Sequence, residues 1–152
     1  MPHSRVMLPA LCVFLLIAVV IGCIWVRNAR YKDSIQRALH EESLISALPA
    51  HERVTALQQV DISGCPKDFT AAYLQYIGAW KELAAAEDER GRLQDQTWSS
   101  VGRSIQELSL DPAKKNGEAI DQATGRVNDA NAKITKDWES VEDVARKYGV
   151  QL

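Results

Sequence analysis

The chain has 152 residues, 46% hydrophobic and 25% charged, with 18 Lys+Arg against 20 Asp+Glu, which is room for one modest core beside a membrane segment. Arg5, Arg27 and Arg30 all precede Tyr31, so the chain from Tyr31 onward carries 15 basic against 20 acidic residues, a net of -5, and no basic run longer than Lys114-Lys115. Phosphate contacts supply most nucleic-acid affinity, so this balance speaks against a nucleic-acid partner.

Residues 1–5 form a short N-terminal tail, and an uncharged apolar run follows from Val6 to Val26. At about 1.5 Å per residue it spans roughly 31 Å, the thickness of a hydrocarbon core. A helix there satisfies its own backbone, Pro9 falls in the first turn where its missing N–H breaks no bond, and Trp25 suits the far interface. The run therefore predicts an N-terminal transmembrane helix that meets membrane lipid through residues 6–26. Cleavage as a signal peptide is the weaker alternative, because the run is too long and no small-residue site follows it. A second alternative is a lipoprotein, since Val20-Ile21-Gly22-Cys23 is similar to a bacterial lipobox with Cys23 as the lipidated residue. Against it, Ile24-Trp25-Val26 continues the apolar run where a polar tether would be expected.

The flanking charges give two answers about sidedness. Arg27, Arg30, Lys32 and Arg37 outnumber Arg5 and the α-amino group, which counts for a cytoplasmic domain. A span starting at residue 6 instead acts as an export signal-anchor. The expectation adopted is a single-pass protein of the inner (cell) membrane with an extracytoplasmic domain.

Residues 27–64 read as a juxtamembrane stalk or short helices. Tyr31, Ile35, Ala38 and Leu39 recur at helical spacing, and Pro49 ends or kinks the segment. Val54, Leu57 and Val60 suggest a short second helix before the breaker Ser63-Gly64-Cys65-Pro66. Val60 to Ile62 is too short for a strand signal. Cys65 is the one cysteine beyond the apolar run, which holds Cys12 and Cys23, so no disulfide framework within the domain is expected. An intermolecular bridge through Cys65 stays open beside the plainer reading of a half-buried thiol.

Residues 65–152 read as a helical hairpin domain. A helix is predicted from Pro66, with Asp68 in its first turn and Ser63 or Cys65 as cap. Phe69, Ala72, Tyr73, Tyr76, Ile77, Trp80, Leu83 and Ala84 step by three and four along one face. Trp98, Val101, Ile105 and Leu108 resume the stripe after Gly91, where the helix continues, kinks or restarts. Asp111-Pro112 with Asn116-Gly117 predicts a turn. Ile120, Ala123, Val127, Ala130, Ile134, Trp138, Val141, Ala145 and Tyr148 then form a second stripe, closed by Arg146, Lys147 and a capping Gly149. Two stripes joined by a turn predict an all-α fold, an antiparallel helical hairpin or small bundle. Aromatics on such stripes are ordinarily core. Any left exposed would be contacts for a protein partner or a homo-oligomer, with Phe69, Tyr73 and Trp80 as the candidates.

Catalytic patterns are missing. Gly91, Gly102, Gly117 and Gly125 are isolated, and no histidine follows His51, so neither a phosphate loop nor a histidine triad or zinc helix is written in the hairpin. His40-Glu41-Glu42 lacks a second ligand at i+4 and reads as a solvated face. Glu87-Asp88-Glu89 and Glu139/Glu142/Asp143 read as exposed helical charge rather than a carboxylate pair across a cleft. No cofactor, metal or catalytic residue is expected. The alternative function is a small-ligand or metal-responsive sensor, which needs a pocket holding buried acids or His40 and His51.

Cys65-Pro66-Lys67-Asp68-Phe69, Ala72-Tyr73 and Ala79-Trp80, with Ile134, Trp138, Val141, Val144-Ala145 and Tyr148-Gly149, resemble a pattern in small uncharacterised bacterial envelope proteins. It covers residues 65–149. The resemblance implies a bacterial origin and an envelope location, and it carries no activity and no site residues. The expectation is a non-enzymatic, membrane-anchored interaction or scaffold module.

Overall fold

A computed structural model describes the backbone of residues 4–107 and 111–152 and the side chains of residues 16–99 and 117–152. It is all-helical among the described residues: α1 (Ser4–Ile45), α2 (Ala50–Leu57), α3 (Lys67–Glu107) and α4 (Asp111–Lys147).

α1 runs for 42 residues without a break. Its last third carries the predicted stripe, and Ile35 and Ala38 are 0% exposed. Its first half includes the apolar run. Within that run Leu16, Ile17, Val19, Val20, Ile21, Ile24, Trp25 and Val26 all point outward. The side chains of Val6–Leu15, including Pro9 and Cys12, lie outside the described residues. Among the described residues no helix is long and apolar enough to cross a membrane.

At the C-terminal end of α1 the Ser43 and Ser46 hydroxyls donate to the carbonyls of His40 and Ser43. Pro49 then takes φ -58° and ψ 156°, which turns the chain into α2. An Asx turn follows α2, with the Ser63 N–H and Oγ both donating to Asp61 Oδ1 at 3.0 and 2.7 Å. These bonds hold the Asp61 carboxyl below its ordinary range. Of the two expected caps, Ser63 and Cys65, neither bonds the first turn of α3 among the described residues; the Ser63 hydroxyl donates to Asp61, and the Phe69 N–H donates to Asp68 Oδ1. The Thr70 N–H donates to the Pro66 carbonyl, the first bond of the helix itself. Gly64 passes close to α1: a Cβ there would lie 2.7 Å from Ser34 Oγ, a contact that rotation of the Ser34 hydroxyl would relieve.

α3 and α4 form the antiparallel pair. Asp68 meets Tyr148, Glu82 meets Lys133, and Glu89 meets Arg126, each pair rising along α3 as it falls along α4. α1 runs parallel to α3, since Tyr31 packs on Tyr148 at the Asp68 level and Glu42 meets Tyr76. α2 returns alongside α3 from His51–Asp88 towards the Phe69 level. The lower core is built by four segments: Ile35 and Ala38, Leu57 and Val60, Phe69, Tyr73 and Tyr76, and Val141, Ala145 and Val150. A second cluster above it joins Ala50 to Leu83, Ala84, Ala86, Val127 and Ala130. Ala123 and Ala130 are buried, so the small residues do admit a close partner helix.

Beyond residue 88 one open reading is resolved and other expectations change. Of the three readings at Gly91 the helix continues, with α3 unbroken to Glu107. Asn116-Gly117 is no turn; Asp111-Pro112 opens α4, and the pair lies inside it. Proline costs nothing in a first turn, and one interior glycine costs only about 1 kcal/mol. Trp98 does not continue the core. It is 76% exposed, because α2 and α1 have both ended and only α4 remains beside α3. Val101, Ile105 and Leu108 lie outside the residues with described side chains.

The C-terminal cap is as expected. Gly149 has φ +77°, its N–H donates to Arg146 O at 2.9 Å, and the Val150 N–H donates to Ala145 O at 3.1 Å. Both orphan carbonyls are satisfied, and Val150 folds back into the lower core beside Ala145. Gly149→Ala is expected to lower stability by about 1 kcal/mol, the cost of a Cβ in the left-handed region. Chemical unfolding of the full chain in micelles checks this, and a change near zero would contradict it.

Candidate functional site

The most buried polar group lies where α1, α2 and α3 meet. Glu42 stands one turn beyond Ala38 on the buried face of α1 and is 6% exposed. Arg53 of α2 donates through Nη2 to Glu42 Oε1 and to Tyr76 Oη, the latter at 3.1 Å, while Nη1 donates to Ser46 O at 2.6 Å. Tyr76 Oη donates to the same Glu42 oxygen at 3.0 Å. The guanidinium carbon lies 4.2 Å from the centroid of Trp80, a cation–π contact that desolvation strengthens. Trp138 of α4 closes the far side, 5.0 Å between ring centroids from Tyr76. Burial pushes the Tyr76 phenol up to about 12, so it stays a neutral donor.

Glu42 Oε1 accepts from both the guanidinium and the phenol, the arginine cannot lose its proton, and the phenol is held neutral. What the cluster does is tie the end of α1 to α2 and the hairpin. The earlier reading of His40-Glu41-Glu42 as a solvated face fails at Glu42. The signal was in the sequence: Glu42 sits at i+4 from Ala38 and i+7 from Ile35, on the apolar stripe itself.

The candidate contact residues are placed as follows. Phe69 and Tyr73 are 0% exposed, stacked on each other at 5.9 Å, so a surface role for them is corrected to a core role. Four segments of chain close over that level of the bundle, which leaves nothing for a partner to touch. Trp80 is half-buried under Arg53. Cys23 is exposed on α1, on one face with Val19, Gly22, Val26, Arg27 and Arg30. Of the aromatics on the α3 stripe, Trp98 is the exposed one among the described residues.

Several other acids are engaged with neighbours. Asp88 meets His51 at 2.8 Å, Glu89 meets Arg126 at 2.6 Å, and Arg146 bridges Glu142 and Asp143. Lys147 and Tyr148 both reach Asp68, and the Lys147 bond is the main reason that its carboxyl lies below the ordinary range. Glu82–Lys133 and Glu89–Arg126 rim a shallow groove floored by Ala85, Ala86 and Ala130. Among the described residues no group of three or more His, Cys, Asp or Glu is placed to hold a metal ion.

Burial raises the Cys65 thiol to about 11, with Asp61 adding to the effect. The thiolate is the reactive form. In a Cys12→Ser/Cys23→Ser chain, Cys65 is therefore expected to react at least tenfold more slowly than a free thiol at about pH 8, gaining rate as the pH approaches 11. Labelling with an aromatic disulfide reagent checks this; a free-thiol rate at pH 8 would contradict it.

Comparison with protein-family models, with curated proteins and with solved structures gives no match.

Proposed function

We propose that this chain is a membrane-anchored, non-enzymatic helical protein, held by a single N-terminal span and serving as an interaction or scaffold module of the bacterial envelope. The observation that carries the reading is α1. One unbroken helix joins an uncharged apolar run, whose described side chains all face outward, to a terminal third buried in the bundle. Lipid is the environment in which a helix with such side chains all round is stable. The Glu42–Arg53–Tyr76 cluster supports the scaffold part, because it fixes the anchor helix to the hairpin. On this reading the hairpin stands as a stiff rod, with α3 alone about 60 Å long, and its two-helix end lies farthest from the membrane.

Alkaline extraction of membranes containing the full chain tests the anchor. The native chain is expected in the pellet, and an Ile17→Arg/Ile21→Arg chain in the supernatant. Release of the native chain by the alkaline wash would sink the reading. Intact mass of the mature protein separates a retained span from a lipoprotein that begins at Cys23.

A further inference from the structure

The end of the bundle from which the apolar helix leaves carries four cations with no partner. Arg27, Arg30 and Lys32 lie on α1 and Lys67 opens α3; among the described residues none of the four makes an ion pair or side-chain hydrogen bond. Arg30 and Lys32 stand at the level of Lys67, and Arg27 lies about one helical turn below them. Tyr31, between Arg30 and Lys32, packs edge-on against Tyr148 at 5.7 Å, and Tyr148 donates to Asp68, the neighbour of Lys67. Of the acids nearby, Asp68 pairs with Lys147 and also accepts from Tyr148, and Arg146 bridges Glu142 and Asp143, which leaves one negative charge on that pair. Asp61 accepts from Ser63, which is neutral and leaves its charge in place. Asp33 is exposed with no ion pair among the described residues. The four cations thus face three uncompensated carboxylate charges, a small positive excess at the base of a domain that is acidic as a whole.

A second feature points to the kind of anion. Arg27 and Arg30 head a shallow groove on α1 that continues over Val26, Cys23, Gly22 and Val19. Beyond the adjoining residues and the helix's own backbone, nothing lies within 4 Å of where a Gly22 side chain would be. The groove is therefore apolar along its length and doubly cationic at its bundle end, with exposed Trp25 beside it. That is the shape of an acyl chain below a phosphate. We infer that Arg27, Arg30, Lys32 and Lys67 form one docking surface for anionic phospholipid headgroups, which seats the base of the bundle against the bilayer. The inference rests on the membrane-anchored reading and adds to it the lipid class and the contact of the folded domain. Basic residues at an anionic surface each contribute roughly fivefold to association and are weakened by salt.

Trp25 serves as the reporter. The full chain is reconstituted into phosphatidylcholine bilayers containing brominated-acyl phosphatidylglycerol or, at the same mole fraction, brominated-acyl phosphatidylcholine. Trp25 emission is taken as the difference between the native and Trp25→Phe chains. Quenching is expected to favour the phosphatidylglycerol label at least threefold. That preference should fall with Lys67→Gln and disappear with Arg27→Gln/Arg30→Gln/Lys32→Gln/Lys67→Gln. These side chains touch no partner, so thermal melting should be unchanged. Equal quenching by both labels in the native chain overturns the docking surface, as does a preference indifferent to Lys67→Gln. Absence of quenching by either label overturns instead the membrane-anchored reading beneath it.

Discussion

Glu42→Ala is expected to destabilise the bundle by about 3–5 kcal/mol, the usual cost of removing one partner from a buried ion pair. The side chains of Glu42 and Arg53 are 8% and 12% exposed, so the stranded guanidinium would have little water to replace the carboxylate. Its other acceptors, Ser46 O and Tyr76 Oη, carry no charge. The Arg53 Nε is already without a hydrogen-bond partner, which makes the remaining charge harder to accommodate. Glu42→Gln keeps an oxygen for both donors and should cost less. A Glu42→Leu/Arg53→Met chain should cost less than either single change, because it leaves no orphaned charge. Urea unfolding of the full chain in micelles, followed by tryptophan emission from Trp80 and Trp138, reads all three against the native chain. A loss below about 1 kcal/mol for Glu42→Ala would mean that the pair is solvated in the manner of a surface bridge.

Phe69→Ala should be equally severe, about 3–5 kcal/mol, while its neighbour Tyr73 can lose its hydroxyl at no cost. Phe69 is 0% exposed and belongs to the lower core that four segments build. Truncation removes its transfer free energy and leaves a cavity that such a crowded site cannot close. The Tyr73 hydroxyl is also fully buried, yet it finds no hydrogen-bond partner. Burial pushes its phenol well above the ordinary tyrosine range, with the Glu42 charge adding to the effect. Tyr73→Phe removes an unsatisfied polar atom and keeps the ring, so the change is expected to be neutral or stabilising by up to about 1 kcal/mol. Together the two measurements separate core from contact surface. If these aromatics served a partner, Phe69→Ala would weaken association and leave the midpoint of unfolding unmoved.

Much of the fold is legible residue by residue. The three-and-four spacing from Phe69 to Ala84 and from Ile120 to Tyr148 marks two long amphipathic helices, because only an α-helix places those residues on one side. Gly149 after Arg146 and Lys147 marks the stop, since a left-handed residue there satisfies the last carbonyls. The Asp111-Pro112 pair does mark a boundary, although its use as the opening of α4 rather than as a loop depends on the backbone. Asn116-Gly117 misleads because the propensity of two residues is small beside the packing of a 37-residue helix.

Periodicity states which residues share a face, and it says nothing about what stands over that face. Trp80 and Trp98 lie five helical turns apart on the same side of α3. The first is covered by Arg53 of α2, and the second is bare because α2 does not reach it. Phe69 and Tyr73 looked available on a two-helix hairpin, and they are enclosed because the end of α1 and the Leu57–Val60 segment close over them. Glu42 looked like surface charge beside Glu41, and it is buried because Arg53, eleven residues on, folds back onto it. The sequence by itself therefore determined the helices, their apolar faces and the uncharged run at the head of α1. Only the tertiary structure decided which parts of those faces are covered, because burial belongs to the neighbour that long-range packing brings and not to the residue alone. It also brought Lys67 to the level of Arg30 and Lys32, one turn from Arg27, a juxtaposition that depends on α1 and α3 running side by side.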